Sequence, residues 1–201
     1  MKRLFQIILL LLTGLILCNS SKSIPKVIDV VSEEQMSSKQ EPVFVKKETI
    51  KIKYVDYSNS GIAIDTQYEI YRDSLIWEYT EHRNDCRLRD VVKYDSEEFE
   101  KLIENLSQYT FSVVKREEPL CGGEGESFSF SSDTGCYLNF DDSSCELYGD
   151  ADEVKRLIRQ FVQLHPTKGE IEFKRLSKLP HKRAKHGVFK ELPQELEIYR
   201  R

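Results

Sequence analysis

The chain has 201 residues, with 30 Lys or Arg against 34 Asp or Glu and a formal net charge of −4. From His165 to Arg201, ten Lys or Arg oppose five Glu, a balance of +5, so the remainder carries −4 − 5 = −9. An acidic body with a basic tail points away from nucleic acid and leaves the tail able to touch an anionic envelope surface.

The N-terminus reads as an export signal. Lys2 and Arg3 precede an apolar run, Leu4 to Leu17, shorter than the roughly 20 residues a spanning helix needs. Residues 1–20 are expected to be a signal peptide cut after Ser20, and the protein to be exported, periplasmic or secreted. The alternative takes Leu15-Ile16-Leu17-Cys18 as a lipoprotein box that lipidates Cys18 and anchors the chain to a membrane, although Leu17 stands where such boxes prefer Gly, Ala or Ser. Four more cysteines, Cys86, Cys121, Cys136 and Cys145, fit export as two disulfides, because none is spaced like a close pair of zinc ligands. Of the three pairings, Cys136 with Cys145 across a hairpin and Cys86 with Cys121 is preferred.

Residues 21–48, rich in Ser, Lys, Glu and Gln, read as a linker. A domain follows over 49–166. Ile50, Ile52 and Tyr54 alternate with polar neighbours as in a half-buried strand. Asn59-Ser60-Gly61 is a turn, Tyr68 and Ile70 alternate again, and Asp73-Ser74 turns into Leu75–Tyr79. A strand over Leu88–Tyr94 leads to a helix from Asp95 or Ser96, with Phe99, Leu102, Ile103 and Leu106 on one face. The order then recurs. Strands at Phe111–Val113, Phe128–Phe130 and Cys136–Phe140 precede Cys145-Glu-Leu147, which matches Cys86-Arg-Leu88. Asp150 is expected to cap a second helix with Val154, Leu157, Ile158 and Phe161 inward, ended by His165-Pro166. The helix starts at Asp95 and Asp150 lie 150 − 95 = 55 residues apart, as do the Leu102-Ile103 and Leu157-Ile158 pairs.

The expected fold is therefore α+β: two tandem ββββα repeats, 49–108 and 109–166, forming one antiparallel sheet of about eight strands with two helices on one face. Such a sheet leaves its other face to water or a partner. Residues 167–201 are expected as a basic tail, mostly mobile, with a strand over Glu170–Leu176.

Chemical motifs are sparse. Cys121 to Glu126 has glycines but neither the Lys nor the Ser/Thr of a phosphate loop, and no helix follows it. Asp141-Asp142-Ser143-Ser144 lacks the alternating ligands and terminal Glu of a calcium loop and reads as a turn. His181 and His186 are five apart among cations, not the four of a helical metal pair. His82 stands beside Glu81 and Asp85 in the first repeat, and no nucleophile elbow accompanies it. No catalytic residue, metal or cofactor is expected. Trp77 and Tyr79 alternate with polar residues, which places most such aromatics in the core. Any on the open sheet face becomes a binding anchor, since Trp and Tyr are enriched where interfaces are strongest, and Trp77, Tyr79 and His82 are the candidate partner contacts.

Tyr-Glu-Ile-x-Arg-Asp-Ser-Leu-x-Trp (Tyr68–Trp77), Lys-Tyr-Asp-x-x-x-Phe-x-x-Leu (Lys93–Leu102) and Gly-x-Tyr-Leu-x-Phe (Gly135–Phe140) resemble segments of small exported proteins of Bacteroides-type bacteria. The tandem layout is similar, as architecture only, to beta-lactamase inhibitory protein. The expectation is an exported, non-enzymatic protein that binds a protein partner, in its sharpest form an immunity-type inhibitor of a periplasmic toxin or enzyme. A lipidated envelope protein, or a hydrolase built around His82, are the alternatives.

Overall fold

A computed structural model describes residues 41–58, 64–82, 85–120, 123–178 and 194–199. The expected signal peptide, Cys18, most of the linker, the Asn59–Gly61 turn, Cys121 with Gly122, and the basic stretch with His181 and His186 lie outside the described residues. The strands are β1 (Lys51–Ser58), β2 (Ile64–Tyr71), β3 (Ser74–Glu81), β4 (Cys86–Lys93), β5 (Phe111–Lys115), β6 (Glu124–Ser132), β7 (Gly135–Asp141) and β8 (Cys145–Gly149). The helices are α1 (Ser96–Leu106), α2 (Ala151–Leu164) and α3 (Lys168–Ser177), with a 3-10 turn at Gln194–Tyr199.

The class is α+β, and the order ββββα occurs twice, but the pairing does not repeat. Six strands form one antiparallel sheet in the order β4-β3-β2-β1-β6-β7, while β5 and β8 form a separate pair. The expected single eight-stranded sheet is thus corrected. The β6–β7 hairpin adds to the first unit through β1, with Tyr54 opposite Phe128 and Ile52 opposite Phe130. This register continues one apolar row across the seam, whereas β5 is bracketed by β8 and by a bridge to Val43.

Strand alternation sorts the side chains. Ile52, Ile70, Leu75, Trp77, Leu88, Phe128, Phe130 and Phe140 are buried on the helix side. Burying each such side chain stabilises the fold by roughly 1.5–3 kcal/mol. Helix α1 contributes Phe99, Leu102, Ile103 and Leu106, the stripe expected from its spacing, and Asp95 accepts from the Glu97 amide at 3.0 Å. Helix α2 buries Val154, Ile158 and Phe161. Asp150 does not cap it through its side chain; that carboxylate accepts from the Thr110 amide at 3.3 Å and ties the helix to β5 instead. His165 closes the gap between the two helices, with Nδ1 2.8 Å from the Phe161 carbonyl and Nε2 2.8 Å from a Glu98 carboxylate oxygen.

The body extends beyond 49–166 on both sides. Val45 is fully buried, and Val43 exchanges backbone hydrogen bonds with Phe111. Residues 168–177 are not the expected strand but a helix, started by Thr167, whose hydroxyl accepts from the Glu170 amide at 3.1 Å. Leu176 and Leu196 are buried, so part of the expected tail belongs to the core.

Candidate functional site

The cleft that stands out opens where the helix-side core runs out. Ile50 continues the Ile52–Tyr54 row one step past the last ladder pair, and there it is 44 % exposed. With Phe99 and Ile103 of α1 it forms the apolar floor of a cleft of ≈ 500 Å³. Its rim is charged: Lys47 and Glu48 from the segment before β1, Arg72 from the β2–β3 turn, Glu100 and Glu104 from α1, and Asp133 from the β6–β7 turn.

Local structure holds this end of the sheet rigid. A bulge between Phe130 and Ser131 leaves Tyr137 out of the β6–β7 pairing. The Tyr137 hydroxyl accepts from the Lys46 amide at 3.0 Å and shares a 2.5 Å hydrogen bond with Thr49 Oγ1. Thr49 also donates to the Lys46 carbonyl, and the Lys46 ammonium lies 4.8 Å above the Tyr137 ring. Burial pushes the Tyr137 phenol above its ordinary range. The Ile50 amide then donates to the Ser131 carbonyl at 2.9 Å. Arg72 pairs with Glu100 across the mouth.

The opposite sheet face is polar. Lys51 pairs with Glu69 at 3.0 Å, and Glu78 takes Arg87 in a two-oxygen contact at 2.8 Å. Ser127, Ser129 and Ser131 line β6 on this side. A shallow groove holds Val55, Tyr57, Asp65, Ser127, Asn139 and Asp141. Tyr57 lies across Gly125, its cross-strand partner. Asp141 is fixed by the turn that follows it, accepting from Ser143 and Ser144 amides at 3.0 and 2.8 Å. Burial pushes its carboxyl up, but these donors outweigh burial and hold it below the usual range.

A third polar group sits under the helices. The Tyr54 hydroxyl and Arg159 each donate to Glu126 at 2.9 Å. The Tyr68 hydroxyl donates to buried Glu170 at 2.9 Å, and Lys174 reaches the same oxygen at 2.6 Å. Burial first, then the adjoining carboxylates, push both phenols well above their ordinary range. Asp56 faces Glu126 across β1 and β6, and burial with that neighbour raises its carboxyl. Most of these groups satisfy one another, which makes the network a tie between sheet and helices.

The residues expected as partner contacts fall elsewhere. Trp77 and Tyr79 are 1 % and 5 % exposed. They are core residues on the helix side of the sheet, as their alternation implied, and α3 lays Phe173 over them, so neither reaches the open face as a partner contact. His82 is exposed, but Asp65 holds it at 2.7 Å on the polar face, while buried Glu81 turns the other way, as successive strand residues do. Glu81 and His82 therefore face opposite sides of the sheet.

Cys136 and Cys145 carry free thiols, against the preferred pairing. Cys136 lies at the start of β7 and Cys145 beyond its far end, about 17 Å of strand away at ~3.3 Å per residue, and β8 pairs with β5 rather than folding back on β7. Cys86 is buried at the start of β4. Among the described residues no three His, Cys, Asp or Glu converge as a metal site, and no helix is long and apolar enough to cross a membrane.

The cleft itself was not visible in sequence. Its parts come from residues 47–50, 72, 99–104 and 133, and only the fold joins them. The available signal was Ile50, an apolar residue one step outside the strand that its own alternation continues. No family model, curated protein or solved structure matches the chain.

Proposed function

We propose that the protein is an exported, non-enzymatic binding protein, and in its sharpest form an immunity-type inhibitor that neutralises a periplasmic toxin or enzyme. The observation that carries this reading is the cleft: a rigidly held apolar floor at Ile50, Phe99 and Ile103 inside a charged rim. Interfaces concentrate their energy in such a form, with one apolar anchor in a pocket and a polar surround that excludes water. The signal-like N-terminus supports export. Capture from a native envelope extract tests the reading. A stoichiometric protein partner retained by the wild type and lost on Ile50→Asp supports it; capture unaffected by Ile50→Asp, or no protein partner at all, counts against it.

A second reading is favoured by one separate observation, the Leu15-Ile16-Leu17-Cys18 sequence. In it the protein is a lipidated envelope component. Metabolic labelling with a fatty-acid analogue, lost on Cys18→Ala, distinguishes this from soluble export.

A further inference from the structure

We infer that the cleft receives an aliphatic side chain from a cationic segment of a partner polypeptide; the inference rests on the binding reading above and adds the chemistry of what is bound. The floor sets the first half. Phe99 and Ile103 are nearly fully buried, and the 44 % exposure of Ile50 is the apolar surface left open between them and solvent. A branched or unbranched aliphatic side chain covers such a floor without bringing a polar atom that the floor cannot satisfy.

The rim sets the second half. It holds four carboxylates, Glu48, Glu100, Glu104 and Asp133, against the cations Lys47 and Arg72, so its formal balance is 2 − 4 = −2. Arg72 is already committed to Glu100, and Glu48 lies 4.0 Å from Lys46 just behind the rim. Glu104 and Asp133 make no side-chain hydrogen bond or ion pair among the described residues. They stand on different elements, α1 and the β6–β7 turn, and Lys47, likewise without a side-chain partner among the described residues, offsets one of them, so a peptide seated on Ile50 meets a net charge of 1 − 2 = −1 from the unpaired rim groups. Lysine or arginine flanking the aliphatic residue matches that charge, and acidic flanks oppose it. The polar face of the sheet lacks this combination. Its groove has no apolar floor of this kind, and Asp65 there is already paired with His82.

Three blocked tripeptides titrated into the isotope-labelled protein at low salt test the inference: Lys-Leu-Lys, Glu-Leu-Glu and Lys-Ser-Lys. Resonance shifts should centre on Ile50, Phe99 and Ile103. Affinity for Lys-Leu-Lys should exceed that for either of the others by about fivefold or more, as expected for a few weak, exposed charge contacts and one apolar contact. The preference over Glu-Leu-Glu should shrink in 0.5 M salt and on Asp133→Lys, an exposed turn substitution that leaves the fold intact. Equal affinity for the three peptides, or shifts centred on Val55 and Tyr57, overturns the inference. The two readings fail separately. Partner capture lost on Ile50→Asp with no charge preference among the peptides removes only the cationic assignment. Clear peptide preference without any captured protein removes only the proposed function.

Discussion

Phe173 of α3 sets its ring 4.4 Å, centroid to centroid, from Tyr79 of β3, and 6.0 Å from Trp77. This contact turns a segment that reads as tail into part of the core. Trp77 is the single tryptophan of the chain, so its emission reports the contact directly. Phe173→Ala should cost about 2 kcal/mol, less than a fully buried Phe because Phe173 is only half-buried, and should shift Trp77 emission to the red. An unchanged spectrum and unfolding midpoint would show that α3 does not dock on the sheet.

Gly125 is needed for a reason specific to its neighbour. A Cβ at this position would lie 2.5 Å from the Tyr57 hydroxyl and 2.7 Å from the ring carbon bearing it. Gly125→Ala should therefore destabilise by roughly 1–3 kcal/mol through overpacking. The same change in a Tyr57→Ser background should cost markedly less, because the obstructing ring is gone. Additive costs in urea unfolding would remove the steric explanation.

Asp141 makes a signed prediction about acid stability. Its folded carboxyl titrates below the ordinary value of 3.8, so between the two values the unfolded chain binds more protons than the folded one. The stabilisation is fully present above about pH 4 and is lost as pH falls through the lower, folded value. Asp56 acts in the opposite sense: its raised carboxyl disfavours the folded state as pH rises from 3.8 toward the folded value. Asp141→Ala should cost about 1 kcal/mol near pH 7, mainly from the Ser143 and Ser144 hydrogen bonds, and less near pH 3. An equal loss at both pH values would place the effect in packing rather than charge.

The cysteines give a covalent test. Cys136 is exposed and Cys145 is separated from it by the length of β7. Peptide mapping under non-reducing conditions should find no Cys136–Cys145 bridge, and Cys136 should accept a thiol-directed label that Cys136→Ser abolishes. Recovery of the bridged peptide would require β7 and β8 to be arranged differently.

Helices α1 and α2 were legible because each packs one stripe against one core. For Phe99, Leu102, Ile103 and Leu106 a spacing of three and four has a single reading. The α3 segment, Glu-Ile-Glu-Phe-Lys-Arg-Leu, alternates apolar and charged residues over Glu170–Phe173 and so imitates a strand. The missed signal was Thr167-x-x-Glu170, the pattern of a helix-starting box, directly after Pro166. The sheet was legible strand by strand but not in its order. Nothing in β5 or β6 alone says that β6 adds to β1 while β5 pairs with β8; the matching of Phe128 and Phe130 to Tyr54 and Ile52 decides it across more than 70 residues. The cleft shares that property, since Ile50 acquires its neighbours only when the two hairpin turns and α1 meet.

The most direct measurement of the binding role is capture from envelope extract by three forms of the protein: wild type, Ile50→Asp at the cleft, and Ser129→Arg on the polar sheet face. Each form is first checked for native Trp77 emission. Binding at the cleft predicts one stoichiometric protein partner held by the wild type and by Ser129→Arg, and released by Ile50→Asp. Retention by Ile50→Asp with loss on Ser129→Arg would contradict the assignment and move the interface to the open face of the sheet.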